Sequence, residues 1–234
     1  MCGRYTYIPT EFTDLRVRWN LDQIPLLTQR FNIAPSQQAP VIVAAGAQLS
    51  LEMFRWGLVP WWAKDPAIGN KMINARAETL AEKASFKGLL ETRRCLVLAD
   101  GFYEWRNEGR RKFPMRFTLK SGAPFAFAGL WDSWRQADGK LLRTYTIITT
   151  EPNDVLRPIH DRMPAMLTDD DAVKWLTYAG QEIASALALL KPFPADKMAG
   201  YDVATLINDP RNDSRECVEP VSYDQKPHTQ LSMI

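Results

Sequence analysis

The second residue of this chain is a cysteine, in Met1-Cys2-Gly3-Arg4, and its chemistry depends on the fate of the first. A start methionine before so small a residue is normally trimmed during synthesis. Trimming leaves Cys2 with a free α-amine and a thiol two carbons apart. Such a 1,2-aminothiol condenses with an aldehyde to an imine, which the thiolate closes into a five-membered thiazolidine. An α-amine with a pKa of about 7.7–8.0 is partly neutral near pH 7, so it attacks carbonyls without extreme tuning. No internal residue offers this pair of groups. The alternative is that Cys2 merely opens a disordered start.

Other polar residues sit where neither a core nor a plain loop asks for them. Phe31-Asn32-Ile33-Ala34-Pro35 and Met72-Ile73-Asn74-Ala75-Arg76 each place an Asn among apolar neighbours. A buried Asn has four hydrogen-bonding positions to satisfy, so each either pins a loop or binds a ligand. Asp100-Gly101-Phe102-Tyr103-Glu104-Trp105 puts a carboxylate inside an aromatic strand. Alternation sets Phe102 and Glu104 on one face, Tyr103 and Trp105 on the other. A Glu on an apolar face has a raised pKa and suits a general acid near neutrality; the alternative is a surface Glu paired with a following Arg. Pro158-Ile159-His160-Asp161-Arg162-Met163-Pro164 brackets His, Asp and Arg with prolines, which reads as a proton-transfer and phosphate-binding loop or as a solvated turn. Trp61-Trp62 with Lys64 offers a stacking platform beside a cation, although most of the eight tryptophans must be core. Arg106, Arg110, Arg111 and Lys112 form a basic hairpin tip, and His228 lies in a polar tail.

The elements that must hold these groups are mostly strands. Pro40 to Ala45 and Gln48 to Trp56 read as a β-hairpin. Arg94 to Trp105, Pro114 to Leu119, Pro124 to Trp131 and Arg143 to Thr150 are separated by short Gly-containing turns and predict a four-stranded antiparallel meander. Helices are expected over Glu11 to Asn20 with Thr10 as N-cap, over Ala77 to Leu90, from the weak capping box at Thr168-x-x-Asp171 through Tyr178, and over Gln181 to Leu190. Tyr201 to Leu206 reads as a late strand. The pattern predicts an α+β fold, a single domain with a curved, largely antiparallel sheet or partly open barrel flanked by helices.

Composition narrows the class. At 234 residues, 46% hydrophobic and 24% charged, the chain can bury a full core. A net charge of +2 neither demands nor forbids nucleic acid. No apolar run approaches the roughly 18 residues of a membrane span, and no signal-peptide core stands at the start, so a cytosolic or nuclear protein without membrane contact is expected. Cys2, Cys95 and Cys217 are an odd, widely spaced set, which argues against disulfides and zinc; no metal or cofactor is expected, and Cys95 reads as a buried core thiol.

The order of these segments is specific. MCGR, FNIAP, WGLVPWW, INARAET, ADGFYEW, IHDRMP and the late NDPRND resemble the SOS-response-associated peptidase (SRAP) domain family, from Cys2 to about Pro220. The resemblance implies a domain over 2–220 with a polar tail over 221–234. It implies shielding of abasic sites in single-stranded DNA, at replication forks or junctions too, through a crosslink to the mature N-terminal cysteine. By matching motif it makes Cys2 the nucleophile. Asn74 then orients the cysteine and the sugar, Glu104 is the acid/base group, and His160 assists ring opening and reversal. Arg4, Asn32, Pro35, Trp61, Trp62, Arg76, Asp161 and Arg162 match positions lining the DNA groove. A monomer associated with the nucleoid, or nuclear in a eukaryote, is expected. Two other readings remain: an N-terminal-nucleophile thiol peptidase using Cys2, His160 and Asn74, and a non-covalent reader of damaged or modified DNA.

Overall fold

Thirteen strands and three short α-helices make up the regular structure of a computed structural model that describes residues 2–8, 18–19, 21, 24, 27–46, 48–178 and 183–223. In chain order they are β1 Tyr5–Tyr7, β2 Arg30–Ile33, β3 Gln38–Ala45, β4 Gln48–Trp56, β5 Asn74–Arg76, α1 Ala84–Thr92, β6 Arg94–Ala99, β7 Gly101–Glu108, β8 Arg111–Leu119, β9 Phe125–Arg135, β10 Leu141–Thr150, β11 Met163–Pro164, β12 Met166–Leu167, α2 Asp169–Thr177, α3 Ile183–Ala188 and β13 Met198–Asp202. The helix expected over Glu11 to Asn20 lies almost wholly outside the described residues, as do residues 224–234 with His228. Among the described residues, no helix is long and apolar enough to cross a membrane.

The β3–β4 hairpin forms as predicted, from Gln38 opposite Arg55 to Ala45 opposite Gln48. Its strands belong to a closed ring, β3–β4–β10–β9–β6 and back to β3. The ring closes through a parallel pairing of β4 with β10, where Tyr145 stands opposite Trp56. A second sheet has the order β13–β8–β7–β1–β2.

The segment expected as one strand from Arg94 to Trp105 is two strands in two sheets. Asp100 divides it. Its carboxylate accepts from the Ile8 N–H at 3.1 Å and from Arg116 Nη2 at 2.6 Å, and its own N–H donates to Thr6 O at 3.0 Å. These bonds turn the chain out of the ring, so β6 pairs with β3 and β9 while β7 pairs with β1 and β8. The four-stranded meander is likewise replaced. After Ser121-Gly122 the chain crosses back to the ring, and the outer edge of β8 is taken by β13. The late strand runs over Met198–Asp202, and Thr205–Asn208 is a 3-10 turn rather than its continuation. The helix expected over Ala77 to Leu90 is a 3-10 turn at Ala77–Thr79 followed by α1. Thr168 caps α2 as expected, its hydroxyl accepting from the Asp171 N–H at 3.2 Å.

Tyr5 ties the second sheet to the ring. Its ring meets Trp56 edge-on at 5.2 Å and Phe127 at 5.8 Å, and its hydroxyl lies 2.6 Å from that of Tyr145. Burial of a ring of this size contributes on the order of 2–3 kcal/mol. The amino-terminal strand is thereby fixed three residues from Cys2.

Candidate active site at the amino terminus

The site is assembled from three segments that converge on Cys2. The first is the terminus itself. Arg4 O accepts from the Tyr103 N–H at 3.0 Å, extending the antiparallel β1–β7 register in which Tyr5 faces Phe102. Continued one step, that register sets Gly3 opposite Glu104 and brings Cys2 alongside β7. Cys2 is fully buried, and its Sγ donates to Arg4 O at 3.7 Å.

The second segment is β5. Its parallel pairing puts Asn74 opposite Ile147 of β10, supported by Trp56 Nε1 donating to Ile73 O at 2.8 Å. Asn74 Nδ2 donates to Cys2 O at 2.9 Å, which fixes the cysteine backbone. Asn74 Oδ1 is buried with no protein partner and is available to a ligand donor.

The third segment is β7. Alternation holds: Phe102 joins the main core, whereas Tyr103 and Trp105 pack in a separate cluster with Val203, Ile207 and Cys217. Glu104 therefore faces the Cys2 side. Burial pushes its carboxyl up to about 7. Burial, followed by the charge of Glu104, pushes the Cys2 thiol well above its ordinary range. The resting sulfur is thus held as a thiol, and ring closure through the thiolate needs a base to take its proton.

His160 stands at the end of the loop after β10. Burial lowers its pKa, so the ring is neutral near pH 7. The charge of the neighbouring Asp161 also reaches Glu104, raising its pKa. A groove of about 610 Å³ lies here, lined by Arg76, Glu151, Arg157, His160, Asp161 and Arg162. Arg76 and Asp161 are exposed. Arg162 is not an open cation: its guanidinium holds Glu78 with two bonds of 2.9 Å and donates to Thr149 O at 2.7 Å.

The remaining sequence-selected residues fall in two places. Trp61 and Trp62 are exposed, at 71% and 49%, around a hollow of about 280 Å³ against α1. Arg4 and Asn32 face the late segment instead. Arg4 Nη1 donates to Ile207 O at 2.7 Å; Asn32 Nδ2 donates to the carbonyls of Ile207, Asp209 and Asn212 at 3.2, 3.1 and 2.7 Å. Asn32 is fully buried and pins this loop. Pro35 is half-buried in the turn after β2. Sequence reasoning passed over Glu78 and Asp213, although both lie in segments it singled out. Asp213 accepts from the N–H groups of Phe31 and Asn32 and pairs with Arg30.

The family model for SOS response associated peptidase (SRAP) matches residues 1–210. The chain belongs to the SRAP family. It is 46% identical over 223 residues to abasic site processing protein YoqW of Bacillus subtilis, covering 94% of this chain and 99% of that one. Abasic site processing protein HMCES of Xenopus tropicalis is 34% identical over 233 residues, covering 86% of this chain and 69% of HMCES. A crystal structure of a Bacteroides thetaiotaomicron protein superposes with a TM-score of 0.81 at 29% identity, covering 94% of this chain and all of the other. Cys2, Asn74 and Glu104 thus come together at the amino terminus, with His160 on the groove beside them.

Proposed function

We propose that this SRAP protein processes abasic sites in single-stranded DNA, alone or at fork junctions, by forming a thiazolidine crosslink through Cys2 after Met1 is removed. The observation that carries the reading is the burial of the Cys2 thiol beside a carboxyl that titrates near neutrality, with its carbonyl held by Asn74. The names of relatives that align over nearly the whole chain support the same substrate.

The chemistry follows from the protonation states. An abasic deoxyribose is mostly a closed hemiacetal. Protonated Glu104 gives its proton to the ring oxygen as the ring opens, the C1′ hydroxyl loses its own proton to water as the carbonyl forms, and neutral His160 assists from the groove. The Cys2 amine adds to C1′, the carbinolamine loses water, and a C=N bond forms. Ionised Glu104 then takes the proton from the thiol as sulfur bonds to C1′, and that proton ends on nitrogen. Aldehyde and aminothiol have become thiazolidine and one water. The strand would lie along the groove, with Arg76 on a phosphate and Trp61 and Trp62 stacked on bases. Arg4, Asn32 and Pro35 shape the groove's other side by holding the late loop and the turn after β2. The protein acts as a monomer.

Intact mass after incubation with an abasic oligonucleotide tests this. The wild type is expected to lose Met1 and gain one oligonucleotide less one water. Cys2→Ser, which keeps the amine, should give an adduct only after reduction, and Cys2→Ala none that survives denaturation. A normal, stable adduct from Cys2→Ala would sink the proposal, and undiminished binding of abasic strands without any wild-type adduct would favour a non-covalent reader.

A further inference from the structure

His160 and Asn74 sit on different segments, and one ion pair joins them. Glu78 follows β5 in the 3-10 turn Ala77–Thr79, and Arg162 follows His160 by two residues. Their pairing is bidentate, at 2.9 Å for both bonds, and Arg162 Nη2 also donates to Thr149 O at 2.7 Å. Thr149 is the residue of β10 that faces Arg76. Only 12% of the Arg162 side chain is exposed. Arg162 holds the Glu78 carboxyl below its usual range, so the pair is charged throughout the neutral region.

The clamp fixes more than side chains. The Arg162 main-chain N–H donates to His160 Nδ1 at 3.0 Å. An Nδ1 that accepts a hydrogen bond carries a lone pair, so the neutral ring bears its proton on Nε2. The same Nδ1 lies 2.8 Å from Asp161 Oδ1, a contact that attracts only when Nδ1 is protonated. The two contacts belong to different proton states of one ring. With Arg162 anchored the N–H is presented and the Nε2–H form is favoured; with the anchor gone, Asp161 draws the proton to Nδ1.

We infer that Glu78 is a positioning residue for His160, holding through Arg162 the tautomer that carries its proton on Nε2. The inference deepens the proposed reaction and rests on it only for the consequence to rate. The chain has two histidines, so a His228→Asn background leaves His160 as the single ring. Its ¹⁵N shifts report the tautomer without DNA.

In that background at pH 8, the Glu78-intact protein is expected to show one dominant Nε2–H form. Glu78→Ala should show a mixture, and Glu78→Gln a smaller shift in the same direction. Crosslink formation by Glu78→Ala should slow by roughly tenfold when rates are compared at saturating strand. A tautomer unmoved in Glu78→Ala overturns the inference whatever happens to rate or melting temperature. If that variant fails to fold, an unmoved tautomer in Glu78→Gln overturns it equally. Absence of any crosslink from the wild type would refute the proposed reaction and leave the tautomer test standing.

Discussion

Glu104 pays for its usefulness in stability. Its carboxyl ionises near 7 in the folded chain and near the ordinary 4.5 when unfolded. Between those values the unfolded chain has lost the proton and the folded chain keeps it, so stability falls as pH rises through this window. Above about 7 the full penalty is present, on the order of 3 kcal/mol. Glu104→Gln is therefore expected to match the wild type near pH 4 and to be the more stable protein at pH 8, by urea unfolding at the two pH values. Equal stabilities at pH 8 would contradict the raised carboxyl. Crosslinking should show the opposite balance: the wild-type rate declines above pH 7 as the acid form is lost, and Glu104→Gln is slow throughout. The sequence displayed this residue well, because strand alternation alone put Glu104 on the face of Phe102. It displayed Asn32 and Asn74 equally, and could not divide them; only folding shows one amide spent on three carbonyls and the other turned to Cys2.

At the scale of elements, the turn at Asp100 decides where Glu104 goes. Without it β7 would continue β6 around the ring and carry the carboxyl away from the amino terminus. Asp100 and Arg116 are both nearly buried, with side chains 15% and 9% exposed, so removing one strands the other. Asp100→Ala is expected to cost about 3–5 kcal/mol, read from its urea midpoint, and to lower crosslink yield with it. Gly57 is a second fixed point, at φ +115°, where a Cβ would stand 2.7 Å from Gly69 O. That close approach lets the Leu58 N–H reach Met72 O at 3.1 Å and delivers the chain to Asn74. Gly57→Ala should destabilise by about 2 kcal/mol or more and weaken crosslinking, checked by thermal melts and adduct yield. Local signals were legible wherever partners are sequence neighbours, as in the β3–β4 hairpin and the Thr168 cap. The pairings of β10 with β4 and β5 are parallel and distant, and no turn residue announces them. The Asp100 break was hidden for a related reason: a single acid amid apolar residues reads as an exposed alternation until Ile8 and Arg116 arrive from elsewhere.

Across the whole molecule, the end of the chain is built into its beginning. Ile207 O accepts from both Arg4 and Asn32, and Asp213 holds the main chain of β2. Asn32→Ala would take its amide from three carbonyls, of which Ile207 O keeps Arg4 Nη1. We expect it to cost about 2–3 kcal/mol and to open the segment around Ile207 to Asn212 to limited proteolysis before the ring unfolds. Binding to DNA should weaken with salt in proportion to the phosphates held, a slope that Arg76→Ala reduces by about one. The length of chain between Cys2 and the other site residues also sets a schedule for synthesis. At translation rates of about 5–20 residues per second, roughly 8–30 s separate the emergence of Cys2 from that of His160. During that interval a trimmed nascent chain carries an aminothiol whose site is incomplete, open to any small aldehyde in the cell. Because the housing is made after the warhead, the newest copies of this protein are the ones most easily disarmed.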